Sequence, residues 1–342
     1  MGALEILQSK TTRDTSRKAA FKKPTQEQIV FFITTIVFFL FSLFLDGFFT
    51  IGNLITLIRN VSVLGILSVG MAIVVIGRGI DLSQVTISAV TAAWVLKLME
   101  SGMSMPGTIL LGLLFALVVG LLNGYLIAFI EIPPLFVTLA SGICIYGFGR
   151  TWLLEGKLIT YLPEAHENFR LLGQGEILGI PVPILLFGVI AILGHLFLSR
   201  VSKGRFIYAY GDNADAARLT GIAVRPLIIL AYALCAIIGY VAGLLMASTV
   251  ASVDTRIINS TLIFDVILVI VLGGISLIGG RGSIWSVIMG TALIGTMLNG
   301  MLILNVPVHW RNIIKGLILL GALILDNRLH PVDEETARQG DI

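Results

Sequence analysis

Five polar side chains interrupt apolar stretches of this 342-residue chain, and each could meet a polar solute or an ion inside a membrane. They are Asp81, Asn123, Thr138, Asp265 and Asn299. Burying such groups without a partner is costly, so inside a membrane they tend to mark a transport pathway. For the two aspartates, a salt bridge or cap that fixes helix positions is an equally good interpretation. Asn123 and Asn299 each precede a glycine and also suit a hydrogen bond to a neighbouring helix.

A second candidate site is the polar segment 200–221, which separates two long apolar stretches and carries four basic residues. Asp212 or Asn213 can cap a helix N-terminus, and Gly221 can end that helix. The alanine-rich residues between them favour a helix of about two turns. A short, capped helix of small residues at a membrane surface can serve as a docking site for another protein.

The glycine-rich stretch 273–282 indicates a turn that breaks a helix at the end of a span. It is not a phosphate loop. Gly274 and Gly279 have the required spacing, but Gly280 stands where the lysine of a nucleotide-binding loop belongs. The sequence also contains no catalytic constellation, metal-ligand spacing or cofactor motif. It therefore predicts no enzyme, no ATP site and no metal or cofactor, and no nucleic-acid partner is expected.

Composition identifies the kind of element that must position these residues. Hydrophobic residues make up 56% of the chain and charged residues 13%, whereas soluble domains carry about a quarter charged residues. This indicates an all-α polytopic membrane protein of about ten transmembrane helices. The apolar runs are 29–45, 61–77, 83–99, 107–130, 135–154, 181–198, 226–248, 262–278, 284–304 and 312–326. Several are near the lower length limit for a span, which predicts tilted, broken or re-entrant helices. Cys144 and Cys235 lie inside such runs and are expected to be buried, reduced thiols.

The basic residues predict the orientation of the spans, because lysine and arginine favour cytoplasmic loops. With a cytoplasmic N-terminus and ten spans, fifteen of the 23 lysines and arginines lie on the cytoplasmic side and eight on the other. Both termini are then cytoplasmic. The predicted organisation is a basic tail (1–28), a permease domain (29–327) with a cytoplasmic loop at 199–225 and an external loop at 155–180, and a second cytoplasmic tail (328–342).

A weak internal echo relates the two halves of the chain. Gly79–Leu82 reads Gly-Ile-Asp-Leu and Gly274–Leu277 reads Gly-Ile-Ser-Leu, each after a β-branched apolar run. Two related halves around a central pathway are common in transporters. Chance similarity between glycine-rich membrane segments explains the echo equally well.

Several motifs together resemble the permease subunit of a bacterial ATP-binding-cassette (ABC) sugar importer, in the ribose, xylose and autoinducer-2 branch. The resemblance covers residues 45–327. The segments that carry it are Gly79–Ser83, Asn123–Gly124, Val137–Leu139, Gly204–Asn213, Ala216–Ile222 and Val271–Gly280. The chain departs from the family pattern after Ser83, where Gln84 and the residues after it replace the usual glycine-serine pair.

The resemblance implies a multi-pass protein of the bacterial inner membrane that works with partners. These are a second permease chain, identical or a sibling, a periplasmic or lipid-anchored sugar-binding protein, and an ABC ATPase on the cytoplasmic face, within the lipid bilayer. In such families the loop that matches 204–222 holds the helix that couples to the ATPase. The implied coupling residues are Gly204, Arg205, Gly211, Asp212, Asn213, Ala216, Ala217, Arg218 and Gly221.

Two other functions compete with sugar import. A branched-chain amino acid permease of an ABC importer is the nearest rival, since its family is related. An ion-coupled secondary transporter would use Asp81 or Asp265 as a proton site. It leaves the polar segment 200–221 without a role.

Overall fold

The computed structural model describes residues 26–329, and within that range every predicted apolar run corresponds to a helix. The helices are α1 (Gln26–Phe44), α2 (Ile51–Ile76), α3 (Gln84–Glu100), α4 (Met105–Phe129), α5 (Pro134–Phe148), α6 (Leu171–Gln174), α7 (Val182–Arg200), α8 (Ser202–Asp212), α9 (Ala214–Leu219), α10 (Val224–Val250), α11 (Leu262–Gly273), α12 (Ile284–Ile303) and α13 (Val308–Leu329). The basic residues of the N-terminal tail and nearly all of the predicted C-terminal tail lie outside the described residues.

The described residues are mostly helical, as expected for an all-α chain, and two small antiparallel ribbons accompany the helices. Strand β1 (Ile159–Tyr161) pairs with β4 (Ser252–Asp254), with Thr160 opposite Val253. Strand β2 (Glu176–Ile177) pairs with β3 (Ile180–Pro181) in a hairpin. Both ribbons involve the segment predicted as the large external loop, and the pairing satisfies its backbone groups where no helix continues.

Six of the described helices are long and apolar enough to cross a membrane, which makes the chain a multi-pass membrane protein. They are α1, α2, α4, α7, α10 and α12. Helices α3, α5 and α11 have 17, 15 and 12 residues. These short helices fit the expectation of broken or re-entrant spans, because about 20 residues are needed for a straight crossing and more for a tilted one.

Helices α2 and α10 form the centre of the bundle. In their most apolar windows, 72% of α2 residues and 67% of α10 residues are buried, against 6% for α1. Helix α10 packs against α2, α3 and α4. Its contact with α4 is close at Gly124, where a β-carbon would lie 2.6 Å from the Cα atom of Ile229. The glycines of these helices therefore allow close backbone packing, as expected for membrane helices.

The cysteine expectation is half right. Both cysteines are free, and Cys235 is buried in the core. Cys144 is exposed on the outer surface of the bundle, so the prediction that it is buried was wrong. An apolar run in a membrane helix has a lipid-facing side as well as a core side, and hydrophobicity does not distinguish them.

Candidate functional sites

The polar segment 200–221 forms two helices, α8 and α9, where the sequence predicts one. The side chain of Asn213 accepts a hydrogen bond from the backbone N–H of Ala216 at 2.9 Å, so Asn213, and not Asp212, caps α9. At the other end, Gly221 has φ +82°. Its N–H bonds the carbonyl of Arg218, and the N–H of Ile222 bonds that of Ala217. This is a Schellman motif, so the predicted glycine stop is confirmed.

Helix α8 was not predicted, and it fixes α9 to the bundle through glycines. Gly204 and Gly211 are both buried. A β-carbon on Gly211 would collide with the carbonyl oxygen of Ile76 and would lie 2.5 Å from the backbone nitrogen of Gly280. The backbone of α8 therefore rests directly on the end of α2. Gly204 packs in the same way against the backbone of Phe197 and Leu198 near the end of α7, so neither glycine faces outward.

Arg78 ties the end of α8 to the break between α2 and α3. It has φ +62°, an unusual conformation for a residue with a side chain. Its Nε donates to the carbonyl of Gly211 at 2.9 Å, and one of its terminal nitrogens (Nη2) donates to that of Asp212 at 3.1 Å. These carbonyls end a helix, where the backbone lacks partners and a cation is favourable. Sequence reasoning did not single out Arg78 as a candidate.

The second break, between α11 and α12, contacts both the end of α2 and helix α8. The N–H of Gly280 donates to the carbonyl of Ile76 at 2.9 Å, and the hydroxyl of Tyr208 donates to the carbonyl of Gly282 at 2.8 Å. We call this three-way meeting of residues 77–83, residues 274–283 and the end of α8 the junction. The two segments of the internal echo thus begin two breaks that touch each other.

The outward side of α9 carries the exposed residues. Ala216, Arg218 and Leu219 are all exposed, and Leu219 is 90% exposed although it is apolar. Ala217 is 4% exposed and packs inward. Of the remaining proposed coupling residues, Arg205, Asp212, Asn213 and Gly221 are exposed. Leu219 was missed by sequence reasoning. An apolar side chain among polar neighbours was the available indication.

Three of the five proposed pathway residues meet in one buried network beside the first break. Oδ1 of Asp81 accepts hydrogen bonds from the backbone N–H and the hydroxyl of Ser83, at 3.0 and 2.5 Å. The amide of Asn123 donates to the same hydroxyl at 3.0 Å. The hydroxyl of Thr138 accepts the N–H of Leu82 at 3.1 Å. The network is almost completely buried and connects the break to α4 and α5.

Gln84, the departure from the family pattern, is fully buried next to this network. Its side-chain amide donates to the carbonyl of Leu67 in α2 at 2.8 Å. Gly70 and Gly239 leave the space it occupies, since a β-carbon on either would lie 2.7 or 3.1 Å from the Gln84 side chain. The glutamine therefore ties the start of α3 to α2.

The other two pathway residues, Asp265 and Asn299, lie elsewhere, in a cavity of about 600 Å³. Helices α2, α10, α11, α12 and α13 line this space, which we call the outer cavity. Of the α2 residues that line the cavity, Leu64 is the nearest to the junction. It is twelve positions before Ile76, the last residue of α2, which is about 18 Å along the helix. The cavity and the junction are therefore at different levels of the bundle.

Side-chain pairs form part of the wall of the outer cavity. Lys315 lies 2.7 Å from one carboxylate oxygen of Asp265 and donates to the other at 3.0 Å. Both side chains are about nine-tenths buried. Asn299 exchanges two amide hydrogen bonds with Asn53, at 2.9 and 3.0 Å. The salt-bridge interpretation of Asp265 is thus confirmed, as is the helix-to-helix bond of Asn299.

The end of the bundle opposite the junction carries exposed ion pairs. Lys157 binds Glu100 at 2.9 Å, and Arg256 binds Asp254 at 2.6 Å. The hydrogen bonds from Arg256 hold the pKa of the Asp254 carboxyl below its ordinary value. The four residues lie near the ribbon formed by β1 and β4, so charges and strands together cover this end.

Comparison with known proteins gives consistent matches over nearly the whole chain. A family model described as branched-chain amino acid transport system / permease component matches residues 53–323. The ribose import permease protein of Escherichia coli K12 is 28% identical over 319 residues, 93% of this chain and 99% of its own. The Bacillus subtilis 168 ribose import permease is 33% identical, over 81% and 85%. The xylose transport system permease of Haemophilus influenzae is 30% identical, over 88% and 96%. No solved structure matches.

Proposed function

The chain belongs to the family of permease components that includes the branched-chain amino acid transport systems, and we propose that it is the permease subunit of an ABC importer for a monosaccharide or a sugar-like molecule. The relatives that match most of the chain are named for ribose and xylose transport, which favours sugar import over import of branched-chain amino acids. The protein is a transport subunit, and the energy comes from ATP hydrolysis in a separate chain.

The observation that carries this proposal is the attachment of α8 and α9 to both helix breaks. Helix α9 protrudes with Ala216 and Leu219 exposed, as a docking element for the ATPase requires. Helix α8 is held rigidly by Gly211 and Arg78. When the ATPase domains close, a push on α9 passes through α8 to the junction. Because residues 77–83 and 274–283 both start a following helix, that push reaches α3 and α12 together.

The two polar sites lie along the proposed translocation pathway. The outer cavity, with Asp265 and Asn299, is the external mouth that receives the solute. The buried network of Asp81, Asn123 and Thr138 lies at the junction, where it holds the first break to α4 and α5. We propose that motion of the junction opens the space between these two levels. A second permease chain completes the pathway.

For topology, we propose ten spans with both termini in the cytoplasm of a bacterial cell, in the inner membrane. The permease domain is then 29–327, the cytoplasmic loop 199–225 contains α8 and α9, and residues 1–28 and 328–342 are cytoplasmic tails. The segment 155–180 faces outward with its ribbons and ion pairs. We propose that a sugar-binding protein docks on that face.

The direct test is uptake of radiolabelled sugar by proteoliposomes that contain the permease, its ATPase and its binding protein. We expect uptake to require ATP and all three components. Uptake at the full rate without the ATPase would contradict the proposal. An uncoupler, which dissipates ion gradients, separates this proposal from an ion-coupled transporter, because only ion-coupled uptake would stop.

The role of α9 is tested by Ala216→Glu, which adds charge and bulk on its exposed side. We expect normal accumulation of the protein and unchanged thermal stability, with uptake lowered at least tenfold and ATP hydrolysis no longer stimulated by sugar. Ala223→Glu, at a position that is also exposed but lies outside α9, is the matched control and should transport normally. Ala217 is unsuitable, because it is buried and a charge there would also destabilise the fold.

A further inference from the structure

The outer cavity has more positive charge than a neutral sugar requires. Three cationic side chains line it, those of Arg59, Arg311 and Lys315, against one carboxylate, that of Asp265. Lys315 and Asp265 compensate each other. Arg59 lies 3.8 Å from Glu176, which is half-exposed and does not line the cavity. Among the side chains described in residues 26–324, no carboxylate lies in ion-pair range of Arg311.

The position of Arg311 is unfavourable unless an anion is near it. It lies in the first turn of α13, and a helix N-terminus carries partial positive charge that disfavours a cation. The first turn of α13 has no acidic residue to offset this. In addition, the Nε atoms of Arg311 and Arg59 are both buried without a hydrogen-bond partner among the described residues. A buried donor without a partner loses its solvation and gains nothing in return.

We propose that the outer cavity binds a phosphate group between Arg311 and Arg59. Guanidinium groups bind phosphate with two parallel hydrogen bonds, and the free N–H groups at the start of α13 add to the attraction. Asn312, which also lines the cavity, supplies a further donor. The phosphate belongs either to the headgroup of an anionic phospholipid or to a soluble phosphate compound. The site shares its cavity with the proposed solute mouth, but binding needs neither ATP nor the partner chains.

The purified full-length chain in lipid nanodiscs provides the test. One preparation contains phosphatidylcholine alone, a second contains phosphatidylcholine with phosphatidylglycerol, and a third is the first with added inorganic phosphate at constant ionic strength. The thermal midpoint is measured in each. We expect a rise of about 3 °C over phosphatidylcholine alone in the second preparation, in the third or in both, because a ligand that binds only the folded state raises its stability.

Variants decide whether the rise comes from this cavity. Arg311→Gln should abolish it and Arg59→Gln should reduce it at least by half. Arg150→Gln, which removes an exposed arginine that does not line the cavity, should leave it unchanged. A rise with phosphatidylglycerol alone identifies a lipid headgroup, and a rise with inorganic phosphate identifies a soluble source. No rise in the wild type, an equal rise in Arg311→Gln, or a loss in Arg150→Gln would each overturn the proposal. The outcome is independent of transport, so failure of either proposal leaves the other standing.

Discussion

The junction and the outer cavity are the two polar regions of this bundle, and they are built in opposite ways. At the junction, backbone packs directly on backbone, and the side chains of Arg78 and Tyr208 donate to backbone carbonyls. Gly211 leaves no room for a β-carbon, and Gly280 bonds directly to Ile76. At the outer cavity, side chains meet across about 600 Å³ of open space, and the pair Asp265 and Lys315 closes one wall.

The difference matches what each region has to do under the proposed mechanism. An element that transmits force must not deform, and glycine-mediated backbone contacts are stiff because protein interiors are close-packed. A region that admits a solute needs space and exchangeable hydrogen-bond partners. Substitutions at the two regions should therefore fail in different ways, which the following four experiments examine.

The largest effect is expected at the junction, from Gly211→Val. The added side chain would collide with the carbonyl of Ile76, so α8 must move off the bundle. We expect a loss of about 3 kcal/mol in unfolding free energy, the upper part of the usual range for overpacking, measured by chemical unfolding in detergent. Gly147→Val, where no atom lies within 4 Å of the added β-carbon, is the control. Equal stability of the two variants would show that the junction is not tightly packed.

A smaller effect is expected at the cavity wall, from Asp265→Ala. After this change the ammonium of Lys315 remains about nine-tenths buried but no longer has its carboxylate partner. Fully buried pairs lose about 3–5 kcal/mol on such a change, and water in the adjacent cavity should lower this to about 2 kcal/mol. The double variant Asp265→Ala with Lys315→Met should recover at least half of the loss. If the double variant is less stable than the single one, the pair is not the relevant interaction.

Asp81 provides the third experiment, because it lies within the junction but makes its contacts through its side chain. Asp81→Ala removes the acceptor for Ser83, and we expect a loss of about 1–2 kcal/mol. Asp81→Asn keeps an oxygen for Ser83 and should retain most of the stability and the ATP-dependent uptake. An ion-coupled transporter would lose uptake in Asp81→Asn. That result would contradict the structural role proposed for this aspartate.

The smallest effect is a pH dependence at the outer end of the bundle. The folded-state pKa of Asp254 is lowered by Arg256, so the pair stabilises the fold above the ordinary aspartate pKa of about 3.9 and this contribution disappears as the pH falls through the lower, folded-state value. The stability difference between the wild type and Asp254→Asn should be constant from pH 7 to 5 and should shrink steadily as the pH falls below about 3.9. A difference that does not shrink on acidification would indicate another cause.

Much of the fold could be predicted because membrane helices follow from hydrophobicity alone. Each of the ten apolar runs is a helix, and Pro134 and Pro183 lie in the first turns of α5 and α7. The cap at Asn213 and the helix end at Gly221 could also be predicted from the sequence, since both depend on neighbours within the same turn. Helix α8 was missed because it is short and, on average, much less hydrophobic than the long apolar spans beside it.

The candidate site residues were likewise predictable only in part. The sequence correctly predicted five buried polar groups, because each interrupts an apolar stretch. They are Asp81, Asn123, Thr138, Asp265 and Asn299. Their division into two groups, three at the first break and two in the cavity, depends on contacts between residues as far apart as Asp265 and Lys315. Arg78 was overlooked because its partners are backbone carbonyls 133 and 134 positions away, which have no sequence signature.

The sequence by itself determined that the chain is a helical membrane protein with a capped helix between two spans, because hydrophobicity and capping are local properties. Only the tertiary structure decided that α8, Arg78 and the two breaks form one junction, and that charges from α2, α11 and α13 surround one cavity. These are long-range contacts, made when helices pack, and their geometry depends on which glycines let the backbones approach.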